Sequence, residues 1–145
     1  MKTLHFEINI NATKEKVWDI LWNDATYTKW TSVFCEGSHA ISDWKEGSKI
    51  LFLDGKKDGM FSTIAALVPN ELMSIKHLGM VKNGKEMEMD KETESWSGAK
   101  EIYTLKEAKN NIKLLVDVDI TEDHAKFFNE AFPKGLQKVK ELSEA

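Results

Sequence analysis

IKLLVDVDI (residues 112–120) runs directly into TEDHAKFFNEAFPKGLQKVKEL (residues 121–142). In the first part apolar and polar residues alternate, Leu115 excepted, which is the period of a strand with one buried face. In the second part the apolar residues form one stripe of a helix of about 22 residues, with Thr121 as the predicted N-cap. Pro133 lies inside this helix and predicts a kink near residues 129–133, because proline lacks a backbone N–H. The stretch therefore predicts a strand that leads into a long helix able to cover a sheet.

The remainder of the chain predicts the sheet itself. Residues 3–10 alternate as a strand, and Thr13 then caps the first of two short helices, over residues 14–22 and 25–30. Further strands are predicted at residues 32–40, 48–53, 60–68, 72–80 and 99–106. Because strands and helices are segregated along the chain, we predict an α+β fold with a curved antiparallel sheet of about seven strands. The sheet wraps around the C-terminal helix, and two short helices follow the first strand.

Residues 81–98 differ from their surroundings. They are polar, rich in Glu and Lys, and contain Asn83-Gly84, which indicates an exposed hairpin tip or excursion beside the sheet. Whether this segment gates a cavity is left open by the sequence. Its acidic run from Glu86 to Glu94 is interpreted as a solvated loop, since a calcium loop needs Asp and Gly at fixed positions.

Composition excludes several classes of function. The 145 residues predict one domain over 1–145, and the net charge of −4 with dispersed lysines argues against a nucleic-acid partner. No apolar run is long enough to span a membrane, and residues 1–12 show no secretory signal. Cys35 is the only cysteine, which favours a reducing cytoplasmic location and argues against structural zinc. No metal-ligand spacing or phosphate loop is visible, so no metal and no cofactor are predicted.

Several stretches in chain order resemble one protein family. They are ININATKEKVW (8–18), YTKWT (27–31), DWKEGS (43–48), IKHLG (75–79), WSGA (96–99), Glu101 with YTL (103–105), and FPKGL (132–136). Together they resemble the activator-of-Hsp90-ATPase-like group of the START/Bet v 1-like (SRPBCC) superfamily. The resemblance implies a helix-grip fold with a large interior cavity. It does not imply one function, because members bind lipids, sterols, plant hormones or polyketides, and some are enzymes.

One histidine is a candidate for the cavity. Lys76 is expected to face water, which places Met73, Ile75, His77 and Gly79 on the inner face of their strand. His77 could bond a ligand or act as an acid or base near neutral pH. The alternative is a structural histidine paired inside the protein, as buried polar groups usually are.

The neighbouring strand adds two more polar candidates. Lys100 and Lys106 mark its outer face, so Glu101 and Tyr103 face inward. A buried Glu101 needs a partner, which His77 or a main-chain amide could supply. Tyr103 could offer its hydroxyl to a ligand, or be a core ring with its tip at the rim. Such a set could orient a ligand without catalysing a reaction.

Apolar candidates complete the predicted cavity. Three tryptophans are predicted as its walls or mouth, with packing under loops as the alternative, and aliphatic and Phe side chains from strands and the last helix line the rest. These candidates are Trp30, Trp44, Trp96, Phe52, Ile75, Phe128, Phe132 and Leu136.

Three functional hypotheses follow. The first is binding of a small hydrophobic ligand, such as a lipid, sterol or polyketide-like molecule, in a cavity between sheet and C-terminal helix. The second is an enzyme acting on a hydrophobic substrate there, which requires His77, Glu101 or Tyr103 to converge on one open space. The third is an Hsp90-type chaperone-interacting domain, which we rank last because the chain lacks the second domain of the eukaryotic cochaperones. Exposed strand edges leave a homodimer open.

Overall fold

The structure, a computed structural model, describes residues 1–145 as eight strands and four α-helices. The strands are Lys2–Ile10 (β1), His39–Ile41 (β2), Lys49–Leu53 (β3), Gly59–Val68 (β4), Leu72–Lys82 (β5), Lys85–Glu86 (β6), Lys100–Ala108 (β7) and Asn111–Ile120 (β8). The helices are Lys14–Trp22 (α1), Asp24–Trp30 (α2), Lys91–Glu94 (α3) and Ala125–Glu144 (α4). Single 3₁₀ turns lie at Thr31–Val33 and Glu122–His124.

The strands form one curved antiparallel sheet that does not close into a barrel. Its order is β1-β8-β7-β5-β4-β3-β2, so β1 and β2 are its two edges, and the short β6 pairs only with β5. α1 and α2 follow β1 directly, and α4 ends the chain. The predicted α+β helix-grip fold is therefore confirmed.

Threonine side chains were predicted to cap the first helix and the C-terminal helix, and the structure has such a cap only at the first. The Thr13 side chain accepts a hydrogen bond from the Lys16 amide and caps α1, as the sequence predicts. Thr121 does not cap a helix with its side chain, because its hydroxyl is 2.7 Å from Nδ1 of His124. The last helix instead begins as a 3₁₀ turn and continues as α4, which runs through Pro133 without interruption.

α4 is held against the sheet by the C-terminal part of its apolar stripe. Phe132, Leu136 and Val139 are buried, and the Phe132 ring stacks on Phe6 of β1 with centroids 5.0 Å apart. Gly135 permits a close approach to the 3₁₀ turn after α2, because a Cβ there would lie 3.3 Å from the Phe34 ring. The helix is thus docked tightly at this point of the fold.

The predicted strand at residues 32–40 is mostly wrong. The chain continues from α2 into the 3₁₀ turn and becomes extended only at β2. The Thr31 hydroxyl bonds the Tyr27 carbonyl at 2.6 Å, and Nε1 of the buried Trp30 bonds the Leu21 carbonyl at 3.1 Å. These side-chain bonds and the burial of Trp30 outweigh the local strand preference of Thr, Val and Phe.

The polar segment at residues 81–98 is exposed only in part. The chain turns at Asn83-Gly84, both with positive φ, and residues 82–92 are exposed. Thr93 is buried, and the end of the segment returns to β5, where the Gly98 amide donates to the His77 carbonyl at 2.8 Å. The excursion is therefore fixed at its base beside the inner strand.

Gly59→Ala is expected to lower the free energy of unfolding by about 2 kcal/mol or more, because added bulk in a packed site forces the backbone to move. A Cβ at Gly59 would lie 1.8 Å from the Phe52 carbonyl oxygen across the β3–β4 pair. Gly55→Ala in the same hairpin is the control, since the nearest atom to its Cβ is 3.9 Å away. Urea denaturation of both variants measures the difference, and equal stabilities would contradict the predicted backbone clash.

Candidate functional site

A cavity of about 580 Å³ lies between the sheet and α4. Strands β3, β5 and β7 form one side, and α2 and α4 form the other. Sixteen of its 27 lining residues are hydrophobic, so the space favours an apolar guest over water. Protein interiors are normally close-packed, and a space of this size between the sheet and the helices is therefore the candidate site.

Four polar side chains form a hydrogen-bonded row beside the cavity, here called the polar chain. Ser62 Oγ is 2.7 Å from Nδ1 of His77, and Nε2 of His77 is 3.0 Å from Oε1 of Glu101. The Tyr103 hydroxyl donates to the other carboxylate oxygen of Glu101. Ser62, His77 and Tyr103 are buried, and the Glu101 side chain is 20% exposed. Each polar group is therefore paired, as burial requires.

Strand register explains why the polar chain forms. Ser62 of β4 lies directly opposite His77 of β5, and Glu101 of β7 lies opposite Ile75, two residues from His77. Glu101 and Tyr103 point to the same face because side chains on a strand alternate. His77, Glu101 and Tyr103 all line the cavity, whereas Ser62 lies behind His77 with no exposed surface. Ser62 is thus a partner of His77 and is not accessible as a nucleophile.

The pKa values of the polar chain favour an ionised Glu101 carboxylate and a neutral Tyr103 hydroxyl. Burial by itself raises the pKa of the Glu101 carboxyl, but the hydrogen bond and charge of His77 and the hydrogen bond of Tyr103 outweigh it, and this pKa is lowered. Burial, followed by the Glu101 charge, raises the pKa of Tyr103 well above its usual value. The row therefore carries a carboxylate next to a neutral phenol.

Glu101→Gln is expected to make stability less dependent on pH in the acid range. The native pKa of Glu101 is lowered, so its contribution is complete above the unfolded value of about 4.3 and is lost as the pH falls through the native pKa. Unfolding free energies measured from neutral pH to about pH 3 test this linkage. Glu107→Gln, at an exposed position of the same strand, is the control. Identical acid profiles for wild type and Glu101→Gln would contradict the prediction.

The structure brings most of the predicted site residues to one cavity. Eight of them line it: His77, Glu101, Tyr103, Trp30, Trp96, Phe52, Phe128 and Phe132. Three do not line it. Trp44 packs against Trp22 with ring centroids 5.6 Å apart, and Ile75 and Leu136 are buried in the core.

Sequence reasoning also missed residues of the site. Leu78 has no partner on β4, because the pairing passes from Phe61 opposite Gly79 to Ser62 opposite His77. This bulge reverses the alternation, so Met80 lines the cavity and the predicted inward position of Gly79 is wrong. The sequence analysis also did not name Tyr27 of α2, which lines the cavity. Tyr27 lies three residues before Trp30, and this spacing places both side chains on the same face of a helix, which could have indicated it.

The fold and this cavity place the chain in a class. A curved sheet that wraps around a C-terminal helix and leaves a cavity between them is the architecture of the START/Bet v 1-like (SRPBCC) superfamily. Within it, the chain belongs to the family described as activator of Hsp90 ATPase homolog 1-like protein, whose model matches residues 11–141.

Solved structures share this fold at low sequence identity. The Aha1 dimer from Colwellia psychrerythraea is 22% identical with a TM-score of 0.76, over 99% of this chain and 97% of that chain. A solution structure from Cytophaga hutchinsonii is 23% identical with a TM-score of 0.70, over 97% and 92% of the two chains. DynU16, from the dynemicin biosynthetic locus, is 11% identical with a TM-score of 0.71. The match covers 97% of this chain and 46% of the DynU16 chain.

No curated protein sequence matches the chain significantly. None of the four helices is both long and apolar enough to cross a membrane. No group of three or more His, Cys, Asp or Glu side chains is arranged to hold a metal ion.

Proposed function

We propose that this protein binds a small hydrophobic molecule, such as a lipid, sterol or polyketide-like compound, in the cavity between the sheet and α4. The observation that carries the proposal is the cavity itself, a space of about 580 Å³ with a mostly apolar lining between the sheet and α4. This volume lies within the range of small-molecule sites in proteins. General ligand binding is also in keeping with the superfamily, and the polar chain offers a few fixed groups to orient a guest.

Cys35 provides a direct test, because the single cysteine of the chain is exposed and also lines the cavity. A neutral fluorescent probe, N-phenyl-1-naphthylamine, is expected to bind wild type with one site and increased emission. Reaction of Cys35 with N-phenylmaleimide is expected to abolish this binding by filling the entrance. The matched control is the double variant Cys35→Ser, Lys109→Cys, which places the same adduct on an exposed turn away from the cavity.

The outcomes of this test are distinct. Probe binding that is lost only when the adduct is at residue 35 supports the proposal. Probe binding that survives the Cys35 adduct, or no binding of any apolar probe, overturns it. Native mass spectrometry of protein purified from its own cell then gives the mass of a retained guest.

A second candidate function is an enzyme that acts on a hydrophobic substrate in the same cavity. The observation that favours it is the convergence of His77, Glu101 and Tyr103 on one open space. A histidine hydrogen-bonded to a carboxylate can accept or donate a proton near neutral pH. Turnover of candidate substrates by wild type that persists unchanged in His77→Gln would remove this candidate.

We also propose a homodimer as a state of this protein. β1 and β2 are unpaired edges of the sheet, and Ile41 on β2 is 53% exposed. The related Aha1 from Colwellia psychrerythraea is described as a dimer. Light scattering that gives the mass of one chain at high concentration would exclude this state.

A further inference from the structure

We propose that the guest of the cavity is a hydrophobic amine, held with its ammonium group against Glu101. The inference rests on the proposed binding function and names the chemical class of the ligand. It excludes fatty acids and other apolar carboxylates as the preferred guests.

The polar chain presents acceptors to the cavity, and its donors are already used. Nε2 of His77 and the hydroxyl of Tyr103 are each engaged by one oxygen of Glu101, and Nδ1 of His77 is engaged by Ser62. Neither histidine nitrogen is therefore free for a guest. The Glu101 side chain is 20% exposed, and its carboxylate keeps lone pairs that can accept further hydrogen bonds. The complementary guest group is a donor.

A second acceptor lies in the same cavity without a partner. Tyr27 of α2 is 7% exposed and lines the cavity, and its hydroxyl makes no hydrogen bond to another residue of the protein. Burial, followed by the charge of Glu101, raises the pKa of Tyr27, which places this phenol within the field of the carboxylate and keeps it neutral. The hydroxyl is not among the fully enclosed unpaired atoms of the protein, so it keeps accessible surface and is open to a hydrogen bond from a guest. An ammonium group has three donors, which allows it to bind Glu101 and still donate to a second acceptor of the cavity wall such as Tyr27.

The charges around the cavity have one sign. Five acidic residues belong to its lining: Asp54, Asp58, Glu92, Glu101 and Asp119. The carboxylates of Asp54, Asp58 and Asp119 already accept hydrogen bonds elsewhere in the protein, so they add negative potential but are not direct partners for a guest. The chain has 20 Lys and Arg residues, and none of them lines the cavity. The basic groups there are His77, whose ring nitrogens are engaged, and His124, whose Nδ1 is bonded to Thr121. A negative potential of this kind attracts a cation and repels a carboxylate.

Aromatic faces add to the preference for a cation. The cavity wall includes Tyr27, Trp30, Phe34, Phe52 and Phe128. A cation near the face of such a ring is attracted by its negative charge density, and the attraction is stronger when water is excluded. The same rings accommodate the apolar body of the guest, so one surface serves both parts of an amphiphilic amine.

A matched set of three probes tests the inference on the wild-type protein. They are 4-phenylbutylamine, 4-phenylbutan-1-ol and 4-phenylbutanoate, which share one apolar body and differ in the end group. Each competes at neutral pH against N-phenyl-1-naphthylamine. The amine is expected to bind about tenfold more tightly than the alcohol, as expected for a charge-assisted hydrogen bond with a cation–π contribution. The carboxylate is expected to bind more weakly than the alcohol.

Variants assign the preference to named groups. Glu101→Gln keeps the size of the side chain and is expected to reduce the amine-to-alcohol affinity ratio about tenfold, because the charge is lost. Tyr27→Phe is expected to reduce it about threefold, because one neutral acceptor is lost. Glu107→Gln removes one exposed carboxylate of the same strand and is the control, with the ratio unchanged.

The two levels of proposal fail separately. If N-phenyl-1-naphthylamine does not bind at all, the proposed binding function is overturned. If the probe binds but the alcohol or the carboxylate competes as well as the amine, only the amine inference is overturned. An amine preference that persists in Glu101→Gln overturns the role assigned to Glu101, and with it the inference.

Discussion

Phe132→Ala is expected to lower the free energy of unfolding by about 3–5 kcal/mol, the usual cost of removing a buried aromatic ring. Phe132 is 2% exposed and joins α4 to the rest of the fold. Its ring lies 5.0 Å from Phe6 of β1 and 4.8 Å from Phe34. The existing cavity is beside it, so the space left by the ring merges with an empty volume and is not refilled by neighbours.

Phe127→Ala is the matched control for this prediction. It removes the same ring from the same helix, but Phe127 is 46% exposed, so the expected loss is below about 1 kcal/mol. Chemical denaturation at neutral pH measures both variants. Similar losses for Phe127→Ala and Phe132→Ala would show that docking of α4 does not depend on Phe132.

His77→Leu is expected to destabilise the protein by about 3–5 kcal/mol, because it leaves a charged partner without its counterpart in a buried place. Glu101 loses the donor that helps lower its pKa, and the hydroxyl of the fully buried Ser62 loses its partner. The loss is therefore larger than the contribution of one hydrogen bond.

A double-mutant cycle separates this effect from a simple change of packing. Glu101→Leu alone is expected to destabilise as well, since His77 and Tyr103 then lack their acceptor. The double variant is expected to lose less than the sum of the two single losses, by about 1–3 kcal/mol, because neither member of the pair is left facing a missing partner. Additive losses would mean that the 3.0 Å contact of the pair does not couple them.

Much of the site could be predicted from strand alternation. The lysines at positions 76, 100 and 106 mark outer faces, so His77, Glu101 and Tyr103 were expected to face inward, and the structure places all three at the cavity. The period of a strand is local and needs no knowledge of its neighbours. The prediction could therefore name the inward residues before any pairing was known.

The remaining contacts of the site depend on strand register and helix docking, which the alternation of residues along one strand does not reveal. The partner of His77 is fixed by the register of β4 against β5, and the bulge at Leu78 shifts that register and brings Met80 to the cavity. Tyr27 reaches the site because α2 docks over the sheet, with Trp30 buried beneath it. Registers and helix docking result from non-local packing, which a single strand or helix pattern does not encode.

The uneven burial of α4 has a mechanical consequence. None of the residues from Ala125 to Glu130 is buried. The buried residues of α4 all lie after them: Ala131, Phe132, Gly135, Leu136, Val139 and Ser143. Pro133 stands at this boundary and supplies no amide to the turn before it. The first turns of the helix are therefore held by less buried apolar area than the remainder, and they are expected to open at a lower free energy than that of global unfolding.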